Sequence, residues 1–144
     1  MSHTFTQFYY HFIWRTKNSE PCLIPEVERI AYGYIKKRCE DLGVFIYALD
    51  GIEDHSHLVC SVPARIAVSE FLEKIKGASS HYVNHFEGLG RNLYWQVGYG
   101  GLTFAKKDLD RVVDYVRNQK RHHSEGTLWD SLESTDGPAS GAAG

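Results

Sequence analysis

The chain has 144 residues, a formal net charge of -2, and 42% hydrophobic against 24% charged residues. That length fits one ordinary domain rather than two, and that balance belongs to a folded chain with a core, which excludes disorder for most of it. No apolar run reaches the ~20 residues of a membrane span and no signal-peptide pattern is visible, so neither a membrane protein nor a secreted one is expected. The three cysteines, Cys22, Cys39 and Cys60, form no Cys-x-x-Cys; neither a disulfide framework nor a cysteine zinc cluster is predicted, and a reducing cytoplasm is the expected location.

In chain order, the aromatic, β-favouring stretch 5–14 predicts a first strand. Thr16 to Pro25 reads as a loop. Val27, Ile30, Ala31, Tyr34, Ile35 and Leu42 then follow the period of an amphipathic helix, with Pro25 suited to its first turn and Gly43 to its stop. Val44–Leu49 predicts a second strand, Asp50-Gly51 a turn, and His57–Val62 a third strand ended by Pro63. A second helix follows, carried by Phe71, Leu72, Ile75, Ala78, Tyr82, Val83 and Phe86, with Ser69 as its N-cap. Gly88–Asn92 is a turn. Leu93–Phe104 reads as a strand kinked at Gly98, Gly100 or Gly101. Asp108 can cap a third helix with the core stripe Leu109, Val112, Val113 and Val116.

The order β-α-β-β-α-β-α predicts an α+β fold: a ferredoxin-like sheet with helices on one face and an added C-terminal helix. The domain is expected to cover 1–123. Residues 124–144 carry four acids and no Lys or Arg, then turn Gly-, Ala- and Ser-rich, and are expected to be disordered. The acidic tail conceals a basic segment. Between Lys106 and His123 stand six Lys or Arg, three Asp and two His, and it is local charge that an anionic partner feels.

Four constellations could carry chemistry. The first is Asp54-His55-Ser56-His57. Residues i and i+2 of a strand share a face, so His55 and His57 are expected side by side, with Ser56 and Leu58 opposite and Cys60 on the wrong parity to help. Taken alone, the pair reads equally well as a two-point metal grip or as two ordinary histidines. The second is Tyr115 and Gln119, four apart on one helix stripe at the edge between core and solvent, with His122 continuing it. A tyrosine there can be a nucleophile, although most of nine tyrosines must be core or boundary residues. The third is the basic run Lys106, Lys107, Arg111, Arg117, Lys120 and Arg121, which reads by default as a solvated helix face and alternatively as a phosphate track. The fourth is Lys74 and Lys76 beside Gly77, a helix-interior glycine that close approach of another backbone would justify. No phosphate loop, nucleophile elbow or pair of His-x-Ser/Thr motifs is present.

Together the pieces resemble one family, the small HUH transposases with a single catalytic tyrosine, the IS200 type. The resemblance runs from about Tyr9 to His123. It rests on Tyr-His-Phe-Ile-Trp-Arg-Thr-Lys (10–17), Asp-His-Ser-His-Leu (54–58), Leu-Glu-Lys-Ile-Lys-Gly-Ala-Ser-Ser (72–80), Trp95, Gly98-Tyr99 and Tyr115-Val-Arg-Asn-Gln119. It implies an enzyme that cuts and rejoins single-stranded hairpin DNA as a homodimer. His55, His57 and Gln119 would hold a divalent metal, Mg²⁺ or Mn²⁺. Tyr115 would attack a phosphodiester to give a 5′-phosphotyrosine. Lys74, Lys76, Lys106, Lys107, Arg111, Arg117, Lys120 and Arg121 would meet the DNA. Ser56 departs from the family, which places a bulky apolar residue between the histidines, and a core-facing hydroxyl there is expected to loosen them. Three other readings remain open: a related enzyme acting on dispersed palindromic repeats, a hairpin-binding module without chemistry, and a ferredoxin-like binder of small molecules.

Overall fold

The computed structural model describes residues 4–136. Four strands, β1 (Tyr10–Arg15), β2 (Phe45–Ile52), β3 (His55–Ser61) and β4 (Gly100–Thr103), form one antiparallel sheet in the order β2-β3-β1-β4. That is the order expected of a ferredoxin-like sheet, and the α+β expectation holds. β1 lies between β3 and β4, which leaves β2 and β4 at the sheet edges.

Strand alternation sorts the core into two layers. Phe12 and Trp14 of β1, with Leu58 and Cys60 of β3, face helices α1 (Pro25–Leu42) and α2 (Val68–Asn84) and bury against Val27, Ile35, Phe71, Leu72 and Ile75. On the opposite face, Val59 and Ala48 pack against Val112, Tyr115 and Val116 of α3 (Leu109–Arg117) and against Leu132. The sheet is therefore covered on both sides, and His55 and His57 belong to the side under α3.

Several boundaries differ from the sequence reading. Residues 5–9 precede the first strand. The expected turn at Asp50-Gly51 is strand: β2 continues to Ile52, and Gly51 pairs with Ser56. A Cβ on Gly51 would lie 2.9 Å from Ser56 Cα and 2.9 Å from the Tyr32 hydroxyl, so glycine is needed there for close approach. Gly43 does stop α1, at φ 76°. Ala67, not Ser69, precedes α2. Gly77 has open space where a Cβ would stand, so no neighbouring backbone explains it. The last predicted strand shrinks to β4 and an isolated bridge from Trp95 to Thr16.

The third helix breaks at Asn118 (φ -111°, ψ 30°) and resumes as α4, Gln119–Glu125. Residues 124–136 are folded rather than disordered: α4 ends at Gly126, and a short α5 (Asp130–Glu133) returns to the sheet, where Leu132 is buried. Residues 137–144 lie outside the described ones.

Candidate metal and nucleophile site

β3 presents His55 and His57 on one face, 2% and 0% exposed. Each ring is oriented through Nδ1. In His55 it lies 2.7 Å from Asp54 Oδ1; in His57 it lies 2.8 Å from His11 Nε2, from the neighbouring strand β1. A histidine that donates through one nitrogen presents the lone pair of the other. Both Nε2 atoms point into the space beneath α3 and α4, and both are buried without a well-directed hydrogen bond.

Four side chains close that space. The carboxylate of Glu133, carried on α5, sets Oε1 3.2 Å from His55 Nε2 and 3.4 Å from His123 Nε2, and Oε2 3.2 Å from His57 Nε2. Oε2 also accepts the hydroxyl hydrogen bond of Tyr115. Gln119 is fully buried; its Oε1 lies 3.1 Å from His123 Nε2 and its amide nitrogen 3.4 Å from the Tyr115 carbonyl oxygen. The backbone N–H of Trp129 donates to the Tyr115 hydroxyl at 3.0 Å, and the Tyr115 ring stacks on His122 with centroids 4.6 Å apart.

The electrostatics follow from burial among these partners. Burial lowers His11 to about 3, helped by His57 beside it, so His11 is neutral. Burial also works against the charged form of His55, but Glu133 and Asp54 outweigh it and raise its pKa. For His57 burial wins and the pKa falls. Burial opposes a charged Glu133, yet the His55 and His57 rings beside it hold its carboxyl well below the usual range. Tyr115 is pushed up to about 12, first by burial and then by Glu133, so its hydroxyl keeps its proton.

His55, His57, Tyr115 and Gln119 are thus brought together. Tyr115 and Gln119 are buried, however, and not at the solvent edge the helical stripe suggested. The eight basic residues are not brought together in the same way. Lys120 is braced between Glu28 (3.1 Å) and Asp50 (3.0 Å). Lys76 is tied to the carbonyls of Gln96 and Gly98 at 2.7 and 2.6 Å. Arg117 reaches the Tyr47 carbonyl, Arg111 lies over the Trp129 ring, and Arg121 stands 4.0 Å from Glu125. Lys74, Lys106 and Lys107 are exposed and make no ion pair among the described residues. Lys76 does line a groove with Lys17, Tyr94, Trp95 and Tyr99, between α2 and the 94–99 segment.

Comparison with known proteins fits this arrangement. Residues 4–119 match the model of the family described as "Transposase IS200 like". The chain belongs to the IS200-like transposase family. A curated relative, the transposase for insertion sequence element IS200 of Salmonella typhimurium, is 27% identical over 133 residues, covering 88% of this chain and 86% of its own. Among solved structures, a Deinococcus radiodurans R1 protein assigned as a transposase is similar in fold (TM-score 0.65, 23% identity, 83% of this chain and 95% of that one). So is a REP-associated tyrosine transposase bound to a REP hairpin (TM-score 0.63, 19% identity, 89% and 76%). Family membership makes this transposase a DNA-recombining enzyme. Among its described residues no helix is long and apolar enough to cross a membrane.

Two site residues were missed in the sequence. His123 carried a usable signal, because it continues the four-residue spacing of Tyr115 and Gln119. Glu133 carried none: it sits among acidic, small residues beyond the last periodic segment, and only the return of the chain at α5 brings it to the sheet.

Proposed function

We propose that this transposase cuts and rejoins single-stranded hairpin DNA by attack of Tyr115 on a phosphodiester, assisted by a divalent cation, through a 5′-phosphotyrosine intermediate. The observation that carries the reading is the convergence of one tyrosine hydroxyl with the two buried Nε2 atoms of His55 and His57, neither of which has a well-directed hydrogen bond. Orphaned buried imidazole nitrogens are costly unless something accepts their lone pairs, and a dication does so. The donor set fits: His55 and His57 would hold the ion, with Gln119 beside them. Mn²⁺ suits imidazole nitrogen better than Mg²⁺, which prefers oxygen. A bound dication would supply charge stabilisation for the phosphate oxygens and the leaving 3′-oxygen.

The chain's own groups do the rest. Trp129 N–H and the stacked His122 ring fix the Tyr115 hydroxyl in one orientation. Tyr115 must lose its proton to attack, and at about 12 it cannot do so unaided at neutral pH. The carboxylate of Glu133 stands where an attacked phosphate would have to lie, between the hydroxyl and the imidazoles. Cleavage therefore requires α5 to withdraw. The groove beside Lys76 offers aromatic faces and cations to unpaired bases, the combination that holds single strands without an ordered duplex. We take the working unit to be a homodimer.

End-labelled hairpin DNA from the flanks of the gene, incubated with Mn²⁺ and run on a denaturing gel, tests the reading. Strand cutting that a chelator abolishes supports it. Tight binding without cutting would instead mark a non-catalytic hairpin-binding module. Cutting of scattered palindromic repeats but not of the flanks would mark a repeat-associated enzyme.

A further inference from the structure

We propose that Nε2 of His55, His57 and His123, together with the carboxylate of Glu133, form a closed, nitrogen-rich site for a transition-metal dication in the DNA-free protein. The inference rests on the metal reading above and extends it: His123 and Glu133, rather than Gln119, complete the set.

Geometry is the first argument. One ligand atom from each of the four residues lies within 4.8 Å of the other three. The carboxylate-to-imidazole separations are 3.2, 3.2 and 3.4 Å. Four ligands at ~2.1 Å from a tetrahedral ion stand about 3.4 Å from one another; the two edges that share Oε1, to His55 and His123, already have about that length, and the other carboxylate oxygen lies as near His57. Orientation is the second. Asp54 is placed to accept the Nδ1 proton of His55, and the neutral His11 that of His57, the tautomers that turn both Nε2 lone pairs toward a bound ion. His123 Nε2 faces two oxygens, Glu133 Oε1 and Gln119 Oε1, and so bears the proton without a cation; binding would move that proton to Nδ1 or to solvent.

The donor chemistry sets the class of ion. Three imidazoles and one carboxylate suit Zn²⁺, Co²⁺ or Mn²⁺ and disfavour Mg²⁺. Four protein ligands also leave no open position, the mark of a resting site. The ligand that can yield is Glu133, because α5 is four residues long and is held by Leu132 and by Arg15, whose guanidinium reaches the Glu133 carbonyl at 3.3 Å. A DNA phosphate, another oxyanion, would take its place. Resting and working sites then share the histidines and differ in one oxygen donor.

The test is a Co²⁺ titration of the full, metal-stripped, DNA-free chain, read by visible absorption and by competition with a chromophoric chelator. The expected result is one equivalent of Co²⁺ with the intense bands of four-coordinate cobalt. His123→Ala and Glu133→Ala should each lose that intensity and bind Co²⁺ on the order of 100-fold more weakly. Gln119→Leu should keep the bands. Metal-free thermal melts show which variants are folded, and either His123→Ala or Glu133→Ala suffices. A weak six-coordinate spectrum unchanged in both variants would overturn this inference and leave the His55–His57 metal reading standing. No Co²⁺ binding by the wild-type chain would overturn both and make the cluster an ion-paired network.

Discussion

Nδ1 of His57 and Nε2 of His11 lie 2.8 Å apart inside the sheet, on adjacent strands. With His11 held neutral, the tautomer in which its Nε2 accepts the His57 Nδ1 proton is the one that turns the His57 lone pair inward. His11→Leu removes that acceptor and leaves a buried N–H unpaired. We expect metal affinity to fall by roughly 10–100-fold, with His11→Gln, which keeps an acceptor, losing less. Competition titration with a chelator measures both.

The hydroxyl of Ser56 meets Tyr32 Oη at 2.7 Å on the opposite side of β3. The serine that was expected to loosen the histidines is thus satisfied, and a bulky residue there would displace the Tyr32 ring. Tyr32→Phe should cost about 1–3 kcal/mol in urea unfolding. Metal affinity should stay unchanged, because Ser56 faces away from His55 and His57.

The helices were legible because their apolar stripes are long and periodic, as at Val27 to Ile35 and Phe71 to Val83. The His55–His57 pair was legible because strand parity needs no tertiary information. Gly51 misled: Asp-Gly favours a turn locally, whereas here a glycine is required because Ser56 and Tyr32 crowd the strand. The break at Asn118, which starts α4 and carries His123 to the site, has no proline or glycine to announce it. Glu133 depends wholly on long-range packing of Leu132.

Acid should destabilise the metal-free protein. His11 titrates near 3 when folded against an ordinary 6.5, so between those values the unfolded chain binds a proton that the folded one does not. Stability then rises with pH across that window and falls as pH drops from about 6.5. The lowered pKa of Glu133 acts the same way through the carboxylate range, while the raised pKa of His55 opposes it. Urea midpoints measured from pH 7 to 4 should fall more steeply for wild type than for His11→Leu.

Gly100 is the seat of the returning tail. A Cβ there would collide with the Ser134 carbonyl oxygen and stand 2.8 Å from Ile13 Cγ2. Gly100→Ala should therefore dislodge α5 and withdraw Glu133. Amide hydrogen exchange over 127–136 should quicken, and metal-free binding of single-stranded DNA, followed by fluorescence anisotropy, should tighten severalfold as the carboxylate leaves the phosphate position.

Covalent trapping tests the central claim most directly. Labelled hairpin DNA, Mn²⁺ and the protein are mixed and run under denaturing conditions, with Tyr115→Phe and His55→Ala alongside. The account predicts a protein–DNA adduct that needs the metal, is absent in Tyr115→Phe and is much reduced in His55→Ala. An adduct that persists in Tyr115→Phe would contradict it, because the bond to the phosphate would then be made by another residue.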